Sequence, residues 1–116
     1  MSARNQQIVI PDNDGNYTFL SDEIIHIASK ENSVEFHLSN EKFQIPSSLK
    51  KIQEYLSPDY FVKINRSNII NLKHIKFVTE NSNIKVYLSN DTEHIISENM
   101  KSEFFEKFKK ITRMPA

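Results

Sequence analysis

Tyr60-Phe61-Val62-Lys63-Ile64-Asn65-Arg66-Ser67-Asn68-Ile69-Ile70-Asn71-Leu72-Lys73-His74-Ile75 joins two apolar, strand-like runs through a short polar connector. The apolar runs are ordinary core material. The connector, Asn65 to Asn68, sets out many hydrogen-bond donors around one planar guanidinium, which is the chemistry of a segment that meets an anion. Arg66 is the one arginine in the body of the chain, because Arg4 and Arg113 lie near its ends. Residues 63–76 contain no acidic side chain and are locally basic, within a chain of 116 residues whose 15 Lys and Arg cancel 15 Asp and Glu. A net charge of zero argues against nucleic-acid binding through bulk electrostatics alone.

Working outward, the pattern is mostly that of strands. Ile8 to Ile10 and Tyr17 to Leu20 flank a polar turn in which Gly15, the single glycine, is expected to supply a positive φ. Ile24 to Ala28 reads as a buried strand and residues 29–33 as a loop. Val34, Phe36 and Leu38 then alternate with Glu35, His37 and Ser39, the period of a half-buried strand. That strand turns at residues 39–41 into Phe43 to Ile45. Residues 84–91 alternate in the same way, turn at the same Leu-Ser-Asn, and return through His94 to Ile96. Two similar hairpins point to a mainly antiparallel β architecture.

Two short helices complete the expected fold. Ser47 or Ser48 caps the first, which carries Leu49, Ile52, Tyr55 and Leu56 on one face and stops at Ser57-Pro58-Asp59. Ser97 caps the second, whose Met100, Phe104, Phe105, Phe108 and Ile111 form an apolar stripe opposite Lys101, Lys107, Lys109 and Lys110. Such a stripe docks on a sheet. One domain over residues 8–112 follows, with flexible termini expected at 1–7 and 113–116.

Several functions are excluded or lack support. Without cysteine there is no disulfide, thiolate nucleophile or thiolate zinc site. His26, His37, His74 and His94 show no short-spaced pair on one helical face, so no metal is expected. No glycine-rich loop cradles phosphate and nothing resembles a nucleophile elbow, so neither an enzyme nor a cofactor is expected. No apolar run approaches the roughly 18 residues of a spanning helix, and the N-terminus lacks the apolar stretch of a signal peptide. A cytoplasmic module without membrane contact is the expectation.

Three polar joints enter or leave apolar elements: residues 30–33, 65–68 and 97–101. Each is rich in Asn, Ser and a base. Asn and Arg make paired hydrogen bonds to adenine and guanine edges, and Ser, Lys and backbone amides suit phosphate oxygens. Asn and Ser are also ordinary turn formers, so composition alone leaves both readings open.

Residues 60–75 resemble the signature of the LytTR family of bacterial DNA-binding domains: an aromatic-rich strand, a His/Asn-Arg-Ser segment, an apolar run with Asn, and a closing His-Ile. The resemblance extends in family order from about Ile8 to Ile111. It implies a mainly β fold of elongated, short antiparallel sheets, and double-stranded promoter DNA as partner, met by loops in successive major grooves. Carried over, it gives base contacts to Asn32, Arg66 and Asn99 and backbone contacts to Lys30, Asn65, Ser67, Lys73 and Lys101. Asn65 stands where histidine is usual, and Glu98 follows Ser97 where basic residues are frequent. Repeated sites or a homodimer on DNA are expected, since one small module specifies few base pairs. Members commonly carry a receiver or a membrane-embedded sensor as well, and neither is expected within these 116 residues. The rival expectation is a β-rich protein-interaction or sensory module that keeps the fold without binding DNA.

Overall fold

The computed structural model describes residues 6–112. In chain order the strands and helices are β1 (Gln7–Asp12), β2 (Gly15–Leu20), β3 (His26–Lys30), β4 (Ser33–His37), β5 (Lys42–Ile45), α1 (Leu49–Gln53), β6 (Phe61–Asn65), β7 (Asn68–Asn71), β8 (Ile75–Glu80), β9 (Ile84–Leu88), β10 (Glu93–Ile95) and α2 (Lys101–Thr112). Single 3-10 turns lie at Ser21–Glu23, Leu72–His74 and Glu98–Met100. The termini expected to be flexible fall, apart from Gln6 and Gln7, outside the described residues, and Gln7 already belongs to β1.

The strands form three antiparallel sheets: the β1-β2 hairpin, a five-stranded sheet in the order β5-β4-β3-β7-β6, and a three-stranded sheet in the order β10-β9-β8. Strand alternation gives the five-stranded sheet two apolar faces. Ile27, Val34, Phe36, Phe61 and Ile69 look one way, toward Ile8, Ile10 and Phe19 of the first hairpin and Leu49 and Ile52 of α1. Val62, Ile64 and Ile70 look the other way, toward Val86 and Leu88 of β9, Ile96, and Phe104 of α2. Signature residues thus alternate between two cores, which fixes the β6-β7 hairpin against slippage, because a one-residue shift would exchange its faces. No helix among the described residues is long and apolar enough to cross a membrane.

The expected fold class holds, and local details differ for physical reasons. Gly15 has no positive φ; it is the first residue of β2, opposite Asp12, and the turn is Asn13-Asp14. Positive φ occurs instead at Glu31 (43°) and Asp91 (66°) among the described residues. The expected loop at 29–33 is mostly strand, with Lys30 opposite Ser33 and only Glu31 and Asn32 at the tip. Polarity there reflects an exposed strand end, not an irregular chain. Ser48 caps α1, its Oγ accepting the Lys51 N–H at 3.2 Å, but the helix is one short stretch and Tyr55 beyond it is 41% exposed. Ser97 caps only with its carbonyl, which accepts the Met100 N–H at 3.0 Å, so a 3-10 turn precedes α2. Strand β8 carries no clean alternation by which its sequence would mark it as a strand. Its outer face, with Phe77 61% exposed beside Tyr87, leaves an aromatic in solvent where the period-2 rule expects a polar residue.

Candidate nucleic-acid interface

The sheet order brings the polar joints together. The β3-β4 hairpin ends in Glu31-Asn32 and the β6-β7 hairpin in Arg66-Ser67. Because β3 lies directly against β7, with Ala28 opposite Asn68, both tips project from the same end of the five-stranded sheet. The Ser29 N–H donates to the Ser67 carbonyl at 2.9 Å and ties one tip to the other. The third joint is bonded to β6: the Ser97 N–H donates to the Ile64 carbonyl at 2.8 Å, and Asn65 Nδ2 donates to the Ile95 carbonyl at 2.8 Å.

At this end the three base-contact candidates share one property. Asn32, Arg66 and Asn99 are exposed, and none has a side-chain hydrogen bond or ion pair among the described residues. An exposed guanidinium with all five donors free is poised for an external acceptor. The backbone-contact candidates are more engaged. Lys30 is exposed, 3.9 Å from Glu35, and Lys101 holds Glu98 at 2.8 Å. Ser67 is exposed, with its N–H donated to Asn65 Oδ1 at 2.9 Å. Asn65 Oδ1 also accepts from Asn68 Nδ2 at 3.1 Å, so the Asn65 amide is largely committed within the protein. The joints therefore carry three cations, Lys30, Arg66 and Lys101, against Glu31 and Glu98.

Lys73 is not brought to this end. It sits past the far end of β7, where its Nζ pairs with Asp22 and lies 5.2 Å from the Tyr60 ring centroid. Its neighbours in the signature are structural. Asn71 is buried; its Nδ2 donates to the Ser21 and Ile24 carbonyls at 3.2 and 2.9 Å, and its Oδ1 accepts the Lys73 N–H at 2.9 Å. His74 Nε2 donates to the Asp22 carbonyl at 2.7 Å while Nδ1 meets Ser89 Oγ at 2.7 Å. Lys76 pairs with Asp91 at 2.9 Å. The basic stretch at 63–76 is thus partly neutralised by acids from distant segments.

Three of the four histidines, scattered in sequence, meet in space. His26 and His37 are cross-strand partners on β3 and β4 with rings stacked at 4.1 Å, and His94 of β10 closes on His26 at 4.6 Å. His37 Nε2 bonds Glu35 Oε1 at 2.9 Å. Glu35 and His37, expected on the polar side of a half-buried strand, lie instead in this covered cluster, and Glu35 is buried. His26 is 3% exposed, and its Nδ1 lacks a partner among the described residues. Burial, then the nearby His37 and His94, hold His26 far below the usual imidazole value, at about 3. His94 is lowered by burial and by His37, against a raising effect of Glu93. The cluster bridges two sheets. Among the described residues no group of three or more His, Asp or Glu is arranged to hold a metal ion. Sequence spacing did not reveal this cluster, since it depends on strand pairing.

The LytTr DNA-binding domain family matches the chain over residues 14–109. The transcriptional regulatory protein LytR of Staphylococcus aureus strain N315 is 30% identical over 107 residues, which make up 90% of this chain and 44% of LytR. LytR of strain MW2 matches to the same extent. The chain therefore spans less than half the length of these curated relatives. Among solved structures, a LytTr DNA-binding domain from Bacillus cereus superimposes with a TM-score of 0.72 at 19% identity, covering 87% of this chain and 94% of that one. At that identity the likeness is one of fold.

Proposed function

The chain belongs to the LytTr DNA-binding domain family, and on that premise we propose that it reads promoter DNA for a bacterial transcriptional regulator, through loops inserted into successive major grooves. One observation carries this reading: three polar joints converge at one end of the sheet, and their Asn32, Arg66 and Asn99 side chains are exposed and unpartnered among the described residues. Arg66 forks onto the O6 and N7 edge of guanine, and Asn32 and Asn99 suit the N6 and N7 edge of adenine. Lys30, Ser67 and Lys101 meet phosphates, with Lys101 exchanging Glu98 for a phosphate oxygen. Glu98, 90% exposed by its side chain, opposes the duplex and keeps the affinity modest. Asn65 retains one N–H for a phosphate. Lys73 would have to leave Asp22 to reach the backbone.

The partner is double-stranded promoter DNA with repeated sites, bound as a homodimer or in tandem, because one module specifies few base pairs. Signal reception belongs to a receiver or sensor domain of the regulator, and the setting is cytoplasmic. Selection of bound sequences from random DNA, followed by titration of the recovered site, tests the reading. A recovered consensus is expected, with log affinity falling against log salt with a slope of about −4 if about four phosphates are neutralised.

A second reading, a protein-interaction module on the same fold, draws on the outer face of the three-stranded sheet, where Phe77 and Ile95 are 61% and 56% exposed. No consensus, with weak and salt-insensitive retention of all DNA, would favour it.

A further inference from the structure

Reading successive base pairs demands that the reading side chains be held relative to one another, not only exposed. Contact geometry tolerates errors of roughly 0.5 Å. Arg66 can adapt through its long side chain. Asn99 cannot, because its amide stands on a single methylene and its reach is set by the backbone beneath it.

We propose that Asn65 is a positioning residue whose one amide couples the Arg66 turn to the Asn99 segment, so that both side chains engage the duplex in a common register. This rests on the DNA-reading role proposed above and adds what holds that surface in shape. Asn65 Oδ1 accepts the Ser67 N–H at 2.9 Å and Asn68 Nδ2 at 3.1 Å, closing the turn that presents Arg66. Its Nδ2 donates to the Ile95 carbonyl at 2.8 Å, two residues before Ser97 opens the third joint. The two ends of one planar group therefore grip two joints at once.

The backbone beneath is arranged for this grip. Pairing of β6 with β7 passes from Lys63 opposite Ile69 to Asn65 opposite Asn68, a register shift at Ile64. Such a bulge re-aims the chain at a sheet edge, and β6 is one of the two edge strands of its sheet. The Ile64 carbonyl accepts the Ser97 N–H at 2.8 Å. That main-chain bond sets the distance between β6 and the third joint; the Asn65 bond to Ile95 adds a second point and so sets their orientation. With both oxygen lone pairs and one of two N–H groups committed, Asn65 has little capacity left as a primary phosphate contact.

The test compares Asn65→Ala and Asn65→Asp with Arg66→Ala and Asn99→Ala, each titrated against the selected site and against versions changed at the base pairs that the two reference variants identify. The readout is the ratio of affinities between sequences, which a uniform electrostatic penalty leaves unchanged. Asn65→Asp keeps an oxygen for Ser67 and Asn68 but loses the donor to Ile95. It is expected to retain discrimination at the Arg66 base pair and to lose about tenfold at the Asn99 base pair. Asn65→Ala is expected to lose discrimination at both. Wild-type ratios in Asn65→Asp, with affinity lowered equally for every sequence, would make Asn65 a simple phosphate contact and overturn the proposal. Should Asn65→Ala fail to fold by circular dichroism, Asn65→Asp decides alone. Wild-type ratios in Arg66→Ala and Asn99→Ala would instead overturn the DNA-reading role itself, and the coupling with it.

Discussion

The two ends of the β6-β7 hairpin are built from similar side chains and are engaged to opposite extents. One end carries Asn65, Arg66, Ser67 and Asn68; the other carries Asn71, Lys73 and His74. Both are polar, both contain asparagine and a cation, and both follow apolar strand residues. At the far end Asn71, Lys73 and His74 are all engaged by the Ser21–Ile24 segment, and Asn71 is buried. At the tip Arg66 is exposed with no side-chain partner among the described residues, while the Asn65 and Asn68 amides bond each other and hold the turn. Residue type does not separate a staple from a surface that keeps its donors free for an outside partner; saturation of hydrogen-bonding capacity does.

The comparison breaks most sharply at Asn71. Asn71→Leu removes the buried side-chain bonds to the Ser21 and Ile24 carbonyls and to the Lys73 N–H, and urea unfolding should show a loss of about 3 kcal/mol. DNA affinity of the folded protein should not change. Arg66→Ala is the mirror case. Its unfolding midpoint should match wild type, while affinity for the selected site falls by about 1–3 kcal/mol with preference relaxed at one base pair. A large stability loss in this variant would erase the contrast between the ends.

A third region, the histidine stack, sharpens the comparison through pH. His26 binds a proton less readily in the folded chain than in the unfolded one, so between about pH 6.5 and 3 the unfolded state holds more protons. Stability is therefore greatest above that window and falls as pH drops through it, at up to about 1.4 kcal/mol per pH unit for one proton. His37 and His94 face His26, and Glu35 and Glu93 stand beside them. His26→Phe should flatten the dependence in denaturant titrations at pH 7, 6 and 5. An unaltered slope would remove His26 from the account.

Lys73→Ala is the smallest effect expected. Loss of a partly exposed ion pair with Asp22 should cost about 0.5–1 kcal/mol of stability or less, and leave DNA affinity unchanged. If binding instead weakened equally for all sequences, the far end would also touch the duplex and the two-ended division would fail.

Much of the fold was legible in the chain. Apolar alternation in residues 34–38 and 84–88, the Ser48 cap and the aromatic stripe of α2 each follow from local periodicity, and strand or helix formation obeys it. The parts that local periodicity does not encode share one cause. β8 exposes Phe77 where alternation expects a polar residue, Glu35 is covered within the histidine cluster that joins two sheets, and Gly15 lies in a pairing register that needs no positive φ. Each depends on what packs or pairs alongside.

The same division runs through the candidate site. The sequence by itself determined that three polar joints exist, that Arg66 is the isolated guanidinium, and which side chains have the chemistry to meet bases or phosphates. Only the tertiary structure decided which of them are free. Asn65 finds its acceptor 30 residues away at Ile95, Asn71 finds Ser21 across 50, and Lys73 finds Asp22 across 51. Hydrogen bonds and ion pairs are short-ranged in space, and folding sets that range independently of separation along the chain. The partners that convert a polar residue into a staple are therefore absent from its neighbourhood in sequence.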